Sequence, residues 1–279
     1  PAGAFDPSGS LVSADHPVAV FAGNRFLRLQ PAPQPGGEAT HQQMPPAAAL
    51  GHEYAAAPFA TRRADLAPEV ITYRLVGAYD GTTLTFDPAV TGGAATLSQG
   101  QVLDVQSSAA FRVYSQDAMH PFSLAQLMGT ANVTGGSRPG ATDTHYPLML
   151  GDEEHTLVVP PAQFLSRYVF FTDPTYATTN LVITRVAVSG AFQNVEVDCL
   201  GVVTGWQPVG TDGRFQVTNV DLVRAGVGVG TCMNGRHTAQ SAAPFGIVVW
   251  GEDTYSSYAY PAGGNAASLA TLNPLIPPG

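Results

Sequence analysis

Short segments that alternate between apolar and polar residues, or that are rich in β-branched and aromatic residues, run along most of the chain. The clearest are PVAVF (17–21), VITYRLVGAY (70–79), TTLTF (82–86), QVLDVQ (101–106), FRVYS (111–115), YVFFT (168–172), NLVITRVAV (180–188), RFQVTNVDL (214–222) and FGIVVWG (245–251). Turn signals such as Asp80-Gly81 separate them. The one stretch of helical composition, residues 46–57, is interrupted by Gly51. The pattern therefore predicts an all-β protein.

Three kinds of segment recur in the same order along the chain. An apolar strand that follows a proline is found three times, at 15–23 (DHPVAVFAG), 119–129 (MHPFSLAQLMG) and 242–251 (AAPFGIVVWG). A double proline followed by a tyrosine strand is found at 44–54 and 159–168, and a long strand that leads into a short strand ending in Asp is found at 73–87 and 183–198. This recurrence indicates a tandem repeat.

The repeat predicts two tandem β-sandwich modules with long loops, because alternating strands bury one face only and need a second sheet to cover it. We place module 1 at residues 1–118 and module 2, with an aromatic-rich C-terminal block, at residues 119–279. The strand near the N-terminus, DHPVAVFAG, lacks the segments that precede its two relatives, so we expect it to complete an upstream unit. The polar stretch 129–147 is predicted to be an exposed loop.

Composition narrows the possible partners. Charged residues make up 12% of the chain and the formal net charge is −9. A net negative chain is poorly suited to nucleic acid or to an anionic membrane surface. No apolar run approaches the length of a membrane span. The chain opens at Pro1, without a signal peptide, from which we expect that an upstream segment has been removed.

Two cysteines, Cys199 and Cys232, are present and do not form a CxxC motif. In an oxidising compartment they would form a disulfide that stabilises the fold by about 3–4 kcal/mol in the chain-entropy model. The alternative is a pair of buried free thiols. Alkylation with and without reductant distinguishes the two.

The histidines and acidic residues do not form a recognisable metal motif. His41 and His52 lie 11 positions apart, and Asp152, Glu153, Glu154 and His155 are consecutive, but no HExxH motif is present. Zinc needs three or four converging ligands, so we assign no metal site. A weak Ca²⁺ site at residues 152–154 stays open, since oxygen ligands suffice for calcium.

The sequence lacks the common motifs of catalysis and of cofactor binding. The chain has no GxSxG elbow, no P-loop and no GxGxxG that opens a helix. Neighbouring carboxylates such as Glu252 and Asp253 would serve a glycosidase only if the fold placed two of them across a cleft. We therefore assign no catalytic residue and no cofactor, and predict a protein that is not an enzyme.

The C-terminal block is the strongest candidate for a binding surface. Aromatic rings and carboxylates alternate in it, and such side chains offer amphipathic contact area for sugars or proteins. The candidate binding residues are Trp250, Glu252, Asp253, Tyr255, Tyr258 and Tyr260. The alternative is that these aromatics pack against the neighbouring module.

Four segments resemble the IgGFc-binding N-terminal domain family, which occurs in a mucus protein and in many bacterial surface proteins. They are DHPVAVFAGN (15–24), HQQMPPAAALGHEY (41–54), VPPAQFLSRYVF (159–170) and PFGIVVWGEDTYSSYAYPAGG (244–264). The resemblance implies an extracellular or cell-surface location, a binding or adhesive role and no catalytic residues. Family members tend to have Cys and acidic residues ahead of the double proline, whereas residues 36–44 (GGEATHQQM) have no Cys. We therefore expect no disulfide in that loop and do not expect Fc binding.

Three functional hypotheses follow. The first is an extracellular binding or adhesion module for a glycan or protein ligand. The second is a structural building block of a fibre, sheath or surface layer, whose partners are copies of itself. The third is a carbohydrate-active hydrolase on a sandwich scaffold. Fold alone does not choose among them.

Overall fold

The computed structural model describes residues 6–29, 37–133 and 136–270. The outer ends of the two predicted modules, residues 1–5 and 271–279, lie outside this range, as do residues 134–135 of the predicted loop and Gly36. The regular elements are strands, apart from two short 3-10 helices at Ala47–Ala49 and Pro161–Gln163. The predicted all-β class is thus confirmed. In the described part of the chain, no helix has the length and apolar character to cross a membrane.

The first half of the chain forms a hairpin and most of two four-stranded sheets. Its strands are β1 (Val20–Leu27), β2 (Glu38–Met44), β3 (Glu53–Ala56), β4 (Ile71–Gly77), β5 (Thr82–Asp87), β6 (Thr96–Leu97), β7 (Val102–Ser107), β8 (Phe111–Ser115) and β9 (Phe122–Met128). With β10 (Glu154–Leu157) they pair in the orders β1-β2, β10-β9-β4-β7 and β3-β8-β5-β6. All these pairs are antiparallel.

The second half forms one nine-stranded sheet. Its strands are β11 (Leu165–Thr172), β12 (Thr178–Val186), β13 (Val195–Val197), β14 (Gly201–Val202), β15 (Gln207–Val209), β16 (Phe215–Arg224), β17 (Val227–Gly228), β18 (Gly235–Asp253) and β19 (Ser256–Pro261). The main order is β14-β13-β18-β12-β16-β15, and β11 and β19 also pair with β18.

Alternation along the strands decides which side chains are buried. In β4, Ile71, Tyr73 and Leu75 are buried, and the residues between them are only half buried. The Tyr73 ring meets the Phe111 ring of the facing sheet edge-on, with 4.9 Å between centroids. The two four-stranded sheets thus pack face to face.

The large sheet contributes to two cores. Leu181 and Ile183 of β12 lie in a core made by the second half alone, together with Phe245 and Val249. Val182, between them in sequence, lies in the core of the first half. The two faces of one strand therefore join the two halves of the chain through packed side chains.

In its described residues, 129–133 and 136–147, the predicted exposed loop contains no named strand, but these residues are only partly exposed. Ala131 and Ser137 are buried. The backbone N–H of Arg138 donates to the carbonyl of Arg62, and Ser137 forms a bridge with Arg63. These backbone bonds hold the segment against the rest of the protein. Composition alone does not reveal this contact.

Cys199 and Cys232 form the predicted disulfide. Cys232 is buried in the second core. The bond fixes the segment after β13 to the turn before β18.

Candidate functional site

An open cleft of about 550 Å³ lies where the β18–β19 hairpin meets two loops. The loops are residues 142–146 and 175–176. The described residues that line the cleft are polar or aromatic: Thr142, Asp143, Tyr146, Thr175, Tyr176, Asp253, Thr254, Tyr255 and Ser256.

The hairpin turn places a tyrosine at the mouth of the cleft in an unusual backbone conformation. Asp253 pairs with Ser256, so Thr254 and Tyr255 form the turn. Tyr255 has a φ of 49°, in the left-handed region that costs an L-residue about 1–2 kcal/mol. Its N–H donates to the carbonyl of Met149 at 2.9 Å. Strained residues of this kind are frequent at functional sites.

Asp253 holds the cleft together. Its carboxylate accepts hydrogen bonds from the N–H of Thr142 at 2.7 Å, the Thr142 hydroxyl at 2.9 Å and the N–H of Thr254 at 2.7 Å. Partial burial raises the pKa of Asp253, but the backbone hydrogen bonds from Thr142 and Thr254 outweigh it and leave the pKa below its ordinary value. Asp253 is therefore ionised at neutral pH and fixes the 142–146 loop on the hairpin.

Two aromatic walls flank the cleft. On one side Tyr146 meets Tyr255 edge-on, with 5.6 Å between ring centroids. On the other side Tyr176 meets Tyr258 at 4.8 Å, and Tyr258 stacks on Tyr260 at 6.2 Å.

Hydrogen bonds hold the second aromatic wall, which is formed by Tyr176, Tyr258 and Tyr260. The Tyr176 hydroxyl lies 2.9 Å from the Ser256 hydroxyl, and the Tyr258 hydroxyl accepts from the N–H of Asp173 at 3.0 Å. Tyr260 accepts from the N–H of Phe171 and donates to its carbonyl. Each of these three rings therefore has its hydroxyl group held by a neighbouring residue.

The six sequence-predicted binding residues lie in three different environments. Asp253 and Tyr255 line the cleft, and Tyr258 and Tyr260 stand behind its wall. Trp250 and Glu252 are both 0% exposed, on the face of the sheet that the first half covers. The Trp250 ring packs against the Phe59 ring at 4.9 Å.

Burial raises the pKa of Glu252 to about 7, and the nearby guanidinium groups of Arg62 and Arg138 partly offset that effect. The carboxyl group thus belongs to a buried polar cluster that joins the first half of the chain to the large sheet.

Seven cleft residues were not among the predicted ones: Thr142, Asp143, Tyr146, Thr175, Tyr176, Thr254 and Ser256. Thr142 and Asp253 are 111 positions apart, and no periodicity connects them. One feature of the sequence could have pointed to residues 142–146 as binding residues. They fall in a predicted loop rich in hydroxyl groups, and binding residues concentrate on loops.

An acidic cluster lies behind the cleft. Glu38 accepts from the Ser256 hydroxyl at 3.0 Å and from the N–H of Ser257 at 2.9 Å. Burial raises the pKa of Glu154 to about 8, and burial together with the neighbouring Asp152 raises the pKa of Glu153 to about 8. Both carboxyl groups therefore keep a proton to a higher pH than an exposed glutamate does.

One group of three potential metal ligands converges within the described ranges, and it lies elsewhere, at Asp198, Cys199 and His237. The Cys199 sulfur is bonded to Cys232, so it offers no thiolate. His237 instead makes hydrogen bonds with Asp198 and with the carbonyl of Met233. These hydrogen bonds hold the end of β13 in place.

The comparisons with known proteins give one family and little else. The model of the family described as IgGFc binding protein matches residues 3–251. No curated protein matches the chain. A solved structure, described as an anti-sigma factor domain-containing protein, matches at 10% identity over 73% of this chain and 81% of its own, with a TM-score of 0.20. That score is too low to support an argument about fold.

Proposed function

This chain belongs to the IgGFc binding protein family, and on that premise we propose that it is an extracellular, non-catalytic adhesion module that binds a protein ligand in the tyrosine cleft. The cleft is the set of residues around Tyr146, Tyr176 and Tyr255. The observation that supports the proposal most directly is the left-handed Tyr255, held at the mouth of a cleft in which hydrogen bonds fix the aromatic wall around Tyr176.

The Cys199–Cys232 disulfide supports the extracellular location. Disulfides persist in oxidising compartments and are rare in the cytosol.

The side chains of the cleft are suited to protein recognition. Tyrosine provides a large amphipathic contact area and loses little conformational entropy, and Ser and Thr provide adaptable hydrogen bonds, a combination that antibody binding loops also use. Here the tyrosines come from three separate segments of the chain, so the shape of the surface depends on how these loops are placed. The ordering of the rings by their neighbours lowers the entropy cost of binding.

Charge suggests what the ligand presents. Within the described part of the chain, the cleft lining contains two carboxylates, Asp143 and Asp253, and no basic side chain. The whole chain has a formal net charge of −9. Complementary charge speeds association and selects partners, so the proposed ligand has a basic residue in its contact loop.

We also propose the division into two modules, residues 1–118 and 119–279. Support comes from the matching hydrogen bonds of Tyr54 to Phe122 and of Tyr168 to Phe245. Phe122 lies in β9, which the boundary assigns to module 2 and which pairs with β4 of module 1, so the proposed modules share a sheet. Since Trp250, Val182 and Phe215 of the second half lie in the core of the first, the proposed modules share a packed interface.

A binding screen tests the proposal. The oxidised chain is immobilised and exposed to matrix proteins, mucins, immunoglobulin Fc and a glycan array. We expect a saturable protein ligand whose affinity falls at least about tenfold, or about 1.4 kcal/mol, when Tyr146 or Tyr255 is changed to Ala. Tyr114→Ala is the matched control, because Tyr114 is a half-buried tyrosine that stacks on Arg112 outside the cleft. Equal losses in the cleft and control variants would refute the cleft as the site.

Self-assembly into a fibre or layer is the competing function, and the exposed strand β1 favours it. Light scattering over a range of concentrations separates the two. An adhesion module stays monomeric, whereas a building block grows with concentration.

A further inference from the structure

Strands β1, β9 and β18 occupy equivalent positions in the three repeated segments. Pro17 and Pro121 precede β1 and β9, Pro244 lies inside β18, and each of the three strands pairs antiparallel with the next strand of the chain. In the first two, the partner strand leads into a double proline. Val20 lies opposite Met44, one residue before Pro45, and Ala125 lies opposite Leu157, three residues before Pro160.

β1 differs from β9 and β18 at its second edge, the long edge opposite the one that pairs with the next strand of the chain. The second edge of β9 pairs with β4, and residues 245–252 of β18 pair with β12. Both β4 and β12 are the long strands of the repeat. Within the described part of the chain, β1 pairs with β2 alone, so its second edge presents unpaired backbone groups.

At β9 and β18, where the second edge is paired, a tyrosine hydroxyl group makes a further hydrogen bond to the strand. The Tyr54 hydroxyl donates to the carbonyl of Phe122 at 2.6 Å, and the Tyr168 hydroxyl donates to that of Phe245 at 2.5 Å. Phe122 and Phe245 directly follow the repeat proline and are both 0% exposed. The equivalent residue after Pro17 is Val18, which lies two residues before β1 and is 62% exposed.

The side chains of β1 are exposed in the same way. Phe21 is 64% exposed and Phe26 is 55% exposed. A strand with a free edge and exposed aromatic side chains readily pairs with another strand, and proteins usually protect such edges.

We propose that the free edge of β1 is the docking site for the long strand of another repeat unit, one that contains the double proline, the tyrosine and a strand like β4 or β12. That strand adds to β1 by main-chain pairing, and its tyrosine donates to the carbonyl of Val18. This is recognition by β-strand addition, in which the backbone gives affinity and the side-chain pockets give specificity. The inference rests on the repeat and is independent of the tyrosine cleft.

A fluorescent peptide that copies residues 159–188 is the probe, because it contains the double proline, Tyr168 and β12. We expect saturable binding to the intact chain by fluorescence anisotropy, and slower hydrogen exchange of the β1 amides. Phe21→Ser in the chain weakens binding at least tenfold. In the peptide, Tyr168→Phe weakens binding, and Val182→Pro with Thr184→Pro abolishes it, since proline cannot donate to a ladder.

Three results would overturn the proposal. One is the absence of saturable binding with unchanged exchange in β1. The second is protection of the neighbours of β12 instead, which would indicate strand exchange with the resident strand. The third is a dimer of the chain alone that Phe21→Ser dissociates, which would assign the edge to a second copy.

A graft makes the test independent of the peptide's solubility. Residues 159–188 are fused ahead of Asp6 through a flexible linker, and the matched control graft has the two prolines. We expect a higher Tm and protected β1 amides in the first graft only. Equal behaviour of the two grafts would count against the proposal, and Tyr255→Ala should leave peptide binding unchanged.

Discussion

The hydroxyl group of Tyr54 donates a hydrogen bond of 2.6 Å to the main-chain carbonyl of Phe122, 68 residues away. The same hydroxyl accepts from the N–H of Gly51 at 3.0 Å, and the two rings lie 4.9 Å apart. One side chain thus ties β3 in one sheet to β9 in the other. In the second half, Tyr168 makes the same set of contacts with Leu165 and Phe245.

Tyr54→Phe and Tyr168→Phe should each lower the free energy of unfolding by about 1–3 kcal/mol, because each leaves a buried carbonyl and a backbone N–H without their partner. Urea unfolding measures the loss. Tyr114→Phe is the control and should change stability by less than about 0.5 kcal/mol, as expected for a position away from such features. If all three variants lose equally, the hydroxyl bonds have no special role.

Removal of the disulfide should destabilise the protein substantially. Cys199 and Cys232 are separated by 33 positions, and closing a loop of that length contributes about 3–4 kcal/mol in the chain-entropy model. The double variant Cys199→Ser, Cys232→Ser should show this loss on urea unfolding. Alkylation should leave the mass unchanged without reductant and raise it after reduction. A mass increase in the unreduced protein would contradict the bridge.

Stability should fall between pH 6.5 and 8.5. Burial raises the pKa of Glu154 to about 8, so the folded chain holds this proton more tightly than the unfolded chain. The contribution is complete below the unfolded pKa and is lost as pH rises through 8, with a slope of at most about 1.4 kcal/mol per pH unit for each such group. Glu153 acts in the same direction.

Glu154→Gln should flatten this dependence in urea unfolding at constant ionic strength. Burial lowers the pKa of His155, so its opposing contribution fades as pH rises about one unit above the unfolded value of 6.5, and the slopes are compared above pH 7.5. Glu196→Gln, at an exposed position of β13, should leave the slope unchanged. Superimposable slopes for wild type and Glu154→Gln would show that this carboxyl group does not titrate as stated.

The turn residue Tyr255 should separate binding from stability. Glycine adopts a positive φ without strain, whereas alanine does not. Tyr255→Gly should therefore be more stable than Tyr255→Ala by about 1 kcal/mol, while both lose the ring that faces Tyr146 and bind ligand equally weakly. Thermal unfolding and the binding assay test the pair together. A less stable glycine variant would show that the turn does not hold the left-handed conformation.

The strands and the disulfide followed from the sequence because their signals are local or few in number. A period of two residues assigns alternate side chains to the faces of a strand, as in β4, and two cysteines allow a single pairing. The recurring Pro-apolar and Pro-Pro-Tyr segments likewise predict equivalent strands without knowledge of their partners.

The tertiary structure decided which side chains of the C-terminal block face solvent. Periodicity assigns Trp250 and Glu252 to one face of β18, but it does not say that the first half of the chain covers that face. The cleft likewise depends on Asp253 meeting Thr142 across 111 residues. Side-chain pattern is a property of neighbours along the chain, whereas burial and site geometry arise from segments that meet only when the sheets pack.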